Sequence, residues 1–300
     1  MSQTIATQPS AVVASTSADE PEHWDIEIKA RPGLFDIDLK EIWRYRDLLA
    51  QFVRRDFVAA YKQTILGPIW HLAEPLATTL TYAFVFGFIF KMSTNGMPRI
   101  LFYLPGIALW TLFSNNLLST AGTFNTNAGI FGKVYFPRLI VPINVTINSL
   151  IAFGMQLLLF IVLVVVYLVS GADVRVSWLV IFTPLLALLA ALIGLGLGML
   201  LASITIKYRD LGKLVSVSMR LLMFATPIIY PLSKVPERYW WILELNPMTS
   251  IVEWFRYIWI GGTTTASIGS LLYSTLFMLV AVVWGALVFN KTEKLAMDSV

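Results

Sequence analysis

Long apolar runs alternate along this chain with short basic or turn-forming breaks. A helix needs about 20 apolar residues to cross a hydrocarbon core of ~30 Å. Six stretches meet that requirement, at roughly 70–90, 100–121, 143–169, 178–203, 212–231 and 268–290. Between the last two, residues 232–267 hold two apolar pieces split by Asn246-Pro247. Each piece is too short to span, which predicts re-entrant or interfacial helices over about 235–260. Ahead of the first run, Ile42, Tyr45, Leu49, Phe52 and Val53 recur at steps of three and four, with Arg44, Asp47, Gln51, Arg54 and Arg55 opposite. This is an amphipathic helix, with Asp38 as N-cap and Glu41 at the capping-box position. It lies in the cytoplasmic interface with its cations towards anionic headgroups, or packs on protein; the membrane run that follows at once favours the interface. Gly67-Pro68 reads as its end and Trp70 as an anchor at headgroup depth. The expected class is an all-α polytopic membrane protein. It has a largely disordered cytoplasmic tail over 1–34, an amphipathic interface helix over 35–66, a six-span membrane domain over 67–290 and a cytoplasmic tail over 291–300.

Composition strengthens this picture. Hydrophobic residues make up 57% of the chain, charged residues only 13%, and the mean hydropathy is +0.72, whereas soluble domains carry about 25% charged residues. There is no cysteine, so disulfide and thiolate chemistry are excluded. The two histidines, His23 and His71, are too far apart in sequence to suggest a zinc site. Residues 1–23 lack a basic start and a long apolar segment, so they do not read as a signal peptide. With the N-terminus inside, fifteen Lys and Arg fall on the cytoplasmic side and six, including Arg256, outside, with Arg220 within the fifth run. That bias places both termini in the cytoplasm.

Enzymatic chemistry finds little to stand on. The nearest approach to a phosphate-binding loop, Gly129–Val134 (GIFGKV), has the wrong glycine spacing and a valine where a hydroxyl is required, so the chain has no P-loop of its own. Gly194, Gly196 and Gly198 imitate a dinucleotide fingerprint but lie inside an apolar run, where close helix packing is the better reading. Arg220 faces a hydrated path or a partner, or snorkels to the inner surface. Glu253 and Arg256, at i and i+3, share a helix face as a neutralising pair. Trp240, Trp241, Trp254 and Trp259 cluster with Tyr239, Phe255 and Tyr257 in the segment after the fifth run. They form a membrane-interface belt or a stacking surface for sugar rings. The inner loops 122–143 and 203–213 mix aromatic and basic groups suited to a cytoplasmic partner, and Phe131, Tyr135 and Phe136 would be exposed without one.

The stretches YKQTILGPIW (61–70), FPRLIVPI (136–143), KYRDLG (207–212), TPIIY (226–230) and LNPMTSIVEWFRYIWIGG (245–262) appear in one order across most of the chain. Together they resemble the membrane subunit of type-2 ABC transporters, closest to the branch that exports O-antigen, capsule and teichoic acid. The resemblance implies a homodimer that works with two copies of a separate nucleotide-binding subunit, which uses ATP and Mg. It implies transport of undecaprenyl-diphosphate-linked polysaccharide from cytoplasm to periplasm across a bacterial inner membrane. This chain would hold no cofactor; membrane lipids surround it, and nucleic acid is not an implied partner. The resemblance places Arg54, Arg55, Phe124, Lys133, Tyr135, Phe136 and Arg138 at the ATPase and some of Tyr230, Tyr239, Trp240, Trp254 and Tyr257 along the channel, where Arg220, by its charge within the fifth run, is a further candidate. Rival readings are an exporter of small lipids or drugs, or an integral membrane glycosyltransferase.

Overall fold

The computed structural model describes residues 39–297 except 63, 132, 209 and 263–265. The expected Asp38 cap, the N-terminal tail, Arg209 and the last three residues lie outside that range. The described residues form helices and turns without a strand: α1 Leu39–Arg44, α2 Arg46–Tyr61, α3 Trp70–Tyr82, α4 Arg99–Ala121, α5 Thr123–Phe131, α6 Ile140–Val169, α7 Thr183–Thr205, α8 Leu211–Phe224, α9 Trp240–Glu244, α10 Pro247–Ile260 and α11 Ile268–Met297.

Among the described residues, five helical stretches are long and apolar enough to cross a membrane: Gly67–Ile89, Arg99–Ala121, Ile140–Val169, Trp178–Thr205 and Ile268–Thr292. They correspond to the first four and the sixth of the expected runs. The fifth departs from expectation. Its helix, α8, has 14 residues, about 21 Å at 1.5 Å per residue. The ladder stops because Pro227 has no N–H and restricts Thr226, whose hydroxyl bonds back to the Leu222 carbonyl at 2.9 Å.

The amphipathic helix also differs from its expected course. It bends at Tyr45 and ends at Tyr61, ahead of Gly67-Pro68. Thr64 closes it by donating its hydroxyl to the Tyr61 carbonyl at 2.9 Å. Gly67, at φ 53°, opens the next turn instead of ending the previous helix.

The core is built around α4, which packs along α7, with α11 on the far side of α7. Small residues permit this approach. A Cβ on Gly198 would come 2.6 Å from Thr120 Cβ on α4, and one on Gly196 would come 2.5 Å from the Ala281 carbonyl carbon on α11. The glycine run is therefore a helix-packing device, as its place in an apolar run implies. Polar bonds fix the register. Asn116 donates to the Ala191 carbonyl at 2.6 Å and accepts from Thr146 at 3.1 Å, joining α4, α7 and α6. Thr205 donates to the Ala121 carbonyl at 2.8 Å.

Candidate functional site

Two regions gather the residues marked in the sequence. The first lies where α5 and the loop 133–139 turn back beside α2. Phe124 is buried, stacked on Phe289 with centroids 4.7 Å apart. Phe136, only 4% exposed, meets Phe52 edge-on at 5.6 Å. Phe136, Ile140 and Val141 form a small core under Tyr45, Leu48, Leu49 and Phe52. The apolar stripe of α2 is thus covered by the chain's own loop over these positions, the protein-packing alternative for that helix. It also corrects the expectation that Phe131 and Phe136 stand exposed: of the three aromatics only Tyr135, at 55%, is exposed. Arg138 is buried, its guanidinium 5.0 Å from the Phe131 ring. Arg55 lies over Phe52 at 4.6 Å and pairs with Asp56 at 2.8 Å. Arg54, Lys133 and Tyr135 are exposed. The seven expected coupling residues are therefore of two kinds, a buried set that shapes the loop and an exposed set that a second molecule can touch.

The second region follows α8. Arg256 is 2% exposed, which removes it from the outside charges counted in the sequence. Its Nε donates to the Phe102 carbonyl at 3.1 Å, Nη1 to the Pro227 carbonyl at 2.5 Å and Nη2 to the Ile228 carbonyl at 2.7 Å. Nη1 also meets Glu253 at 3.2 Å, and the guanidinium lies 3.8 Å from the Phe102 ring centre. A planar guanidinium with five donors can satisfy several acceptors at once. Here it binds the carbonyls released where α8 breaks and ties α10 to α4. The sequence exposed the i, i+3 pair, but the carbonyl partners are distant in the chain and carry no local signal.

The aromatics of this segment divide. Trp259 is buried and donates to Thr183 at 2.9 Å, a structural role. Trp254 meets Tyr257 edge-on at 5.7 Å on α10. Tyr239 carries Arg238 at 4.5 Å, Trp240 donates to the Val235 carbonyl at 2.7 Å, and Tyr230 donates to the Phe224 carbonyl at 3.2 Å. Of the five channel aromatics, only Trp254 and Tyr257 are joined to each other by a ring contact among the described residues. Arg220 stands on the exposed side of α8 with Leu214, Val217 and Leu221, away from buried Met219. No acidic group pairs with it among the described residues.

The model of the ABC-2 type transporter family matches residues 48–260. The chain belongs to that family. The matched range of this ABC-2 type chain runs from α2 to the last residue of α10, so it takes in both regions above apart from Tyr45 and Phe289. Among known proteins, the O-antigen export system permease protein RfbA of Klebsiella pneumoniae is 30% identical over 248 residues, 82% of this chain and 92% of the relative. The RfbA protein of Myxococcus xanthus is 30% identical over 73% of this chain and 83% of its own length. The polysialic acid transport protein KpsM of Escherichia coli is 25% identical over 78% of this chain and 89% of its own. With its long apolar helices, this ABC-2 chain is a multi-pass membrane permease.

Proposed function

We propose that this chain is the membrane-spanning subunit of an ATP-driven exporter that moves an O-antigen-like polysaccharide, linked to undecaprenyl diphosphate, from cytoplasm to periplasm. The observation that carries the reading is the likeness, along 82% of the chain, to a protein named as an O-antigen export permease. Other relatives are named for polysialic acid transport and for capsule polysaccharide export, so a glycan cargo is common to them. Because the chain has no P-loop, ATP and Mg act in a separate nucleotide-binding subunit, two copies of which serve two copies of this chain in a bacterial inner membrane.

The Lys and Arg bias favours six crossings. Five crossings put the two ends on opposite sides, against the Lys and Arg bias; six put both in the cytoplasm. The sixth is α8 completed by the turn 225–231, whose freed carbonyls Arg256 holds. Arg54, Lys133 and Tyr135 meet the ATPase, while Phe124, Phe136 and Arg138 hold the loop in shape beneath them. Arg220 and the aromatics Tyr230, Tyr239, Trp240, Trp254 and Tyr257 border the path of the glycan.

The test is reconstitution in proteoliposomes. The purified chain alone hydrolyses no ATP; with its ATPase partner, lipid-linked glycan stimulates hydrolysis and becomes accessible on the far face. Hydrolysis by the chain alone, or stimulation only by drugs or short lipids, defeats the reading.

A further inference from the structure

A cavity of about 290 Å³ lies between α2, the first turns of α3, the C-terminal part of α4 and the N-terminal half of α6. Its wall includes Gln156, which is 3% exposed and whose Oε1 has no hydrogen-bond partner; the buried Tyr61 hydroxyl has none either. The exposed Asn115 and Ser119 and the half-buried Ser149 line the same space. Two buried polar atoms left unpaired in a membrane protein, Gln156 Oε1 and the Tyr61 hydroxyl, point to a polar ligand.

The charges narrow its chemistry. Among the described residues the lining has two carboxylates, Asp56 and Glu74, one imidazole, His71, and neither lysine nor arginine. Asp56 is already held by Arg55 at 2.8 Å and by Asn144 Nδ2 at 2.6 Å. A phosphate or other anion would meet two carboxylates with one imidazole, His71, and no permanent cation in the wall to offset them. An apolar ligand would leave the carboxamides and hydroxyls unpaired. An uncharged, hydroxyl-rich ring fits both limits: carboxamides accept and donate at once, and Phe57, Tyr61 and Phe153 offer apolar faces. Burial pushes the Tyr61 pKa up, so its hydroxyl keeps its proton as a donor. The volume is at the small end for ligand sites, enough for one ring and not a run of polymer.

We infer that this cavity binds a single uncharged sugar ring, a contact site beside the α2–α3 junction. The inference rests on the proposed glycan cargo but adds a location for its recognition. The test uses the full chain with its ATPase partner in lipid nanodiscs, titrated with the methyl α-glycosides of glucose, mannose and galactose and followed by saturation-transfer NMR, with inorganic phosphate as the anionic control. At least one glycoside binds the wild type, phosphate does not compete, and Gln156→Leu and Ser149→Val each weaken binding about tenfold, the factor for one lost hydrogen bond. Ser149 is half-buried on the cavity wall, so its variant keeps the test open if Gln156→Leu fails to reach the membrane. Absence of binding by all three glycosides, equal binding by wild type and both variants, or displacement by phosphate overturns the site. The two readings fail separately. Glycan export with glycoside binding unchanged in the variants removes the cavity site alone. Variant-sensitive glycoside binding by a complex that moves no glycan removes the export reading alone.

Discussion

Among single residues, Arg256 shows how one buried cation replaces a stretch of helix. Its donors serve carbonyls of Phe102, Pro227 and Ile228 while Glu253 balances its charge. Arg256→Met leaves those carbonyls and the Glu253 carboxylate unpaired, so it lowers stability by roughly 3–5 kcal/mol, the usual effect of removing one member of a buried ion pair. Arg256→Met with Glu253→Gln recovers part of that loss. Thermal unfolding of the detergent-solubilised protein reads both; a double variant no better than the single one rules out the carboxylate as the source of the penalty. The glycines give a paired contrast. Gly196→Ala forces a methyl to within 2.5 Å of the α11 backbone and destabilises by about 1–3 kcal/mol. Gly154→Ala on α6 meets nothing within 4 Å and leaves the unfolding midpoint level or slightly raised, because only backbone freedom of the unfolded chain is lost.

Between elements, α2 and the loop 133–139 form one packed unit. Phe136→Ala empties the small core beneath Tyr45, Leu48, Leu49 and Phe52 and costs about 3–5 kcal/mol, lowering membrane levels. Lys133→Glu, by contrast, changes an exposed side chain. It leaves membrane levels unchanged and lowers partner-stimulated ATP hydrolysis several-fold, as for a rim charge that steers association. Hydrolysis at the wild-type rate in that variant excludes the loop as the docking element. Arg138 is a poor probe of docking because it is buried against Phe131; its reversal tests folding instead. Hydrophobic periodicity could place the apolar stripe of α2 but not what covers it, because lipid and a phenylalanine loop present the same apolar partner to that face.

For the molecule as a whole, the number of crossings decides where the ends lie. The absence of native cysteine makes the measurement direct. Single cysteines at the exposed positions Lys40 and Lys291 both react with an impermeant thiol reagent from the cytoplasmic side only. Labelling from opposite sides demotes α8 to an element that does not cross and removes the six-span reading. The membrane class, the five long helices and the absence of a P-loop were all legible in the linear order of residues. Each depends on neighbours along the chain: about 20 apolar positions, or a fixed spacing of glycines and lysine. The stop of α8 at Phe224 has a local cause in Pro227 that hydropathy ignores, whereas three other features came only from packing: Arg256 closes the gap, the α2 stripe covers Phe136, and Gln156, Tyr61, Asn115 and Ser149 share one cavity. These three rest on contacts between segments far apart in the chain, and hydropathy averaged over one window carries no trace of its partner.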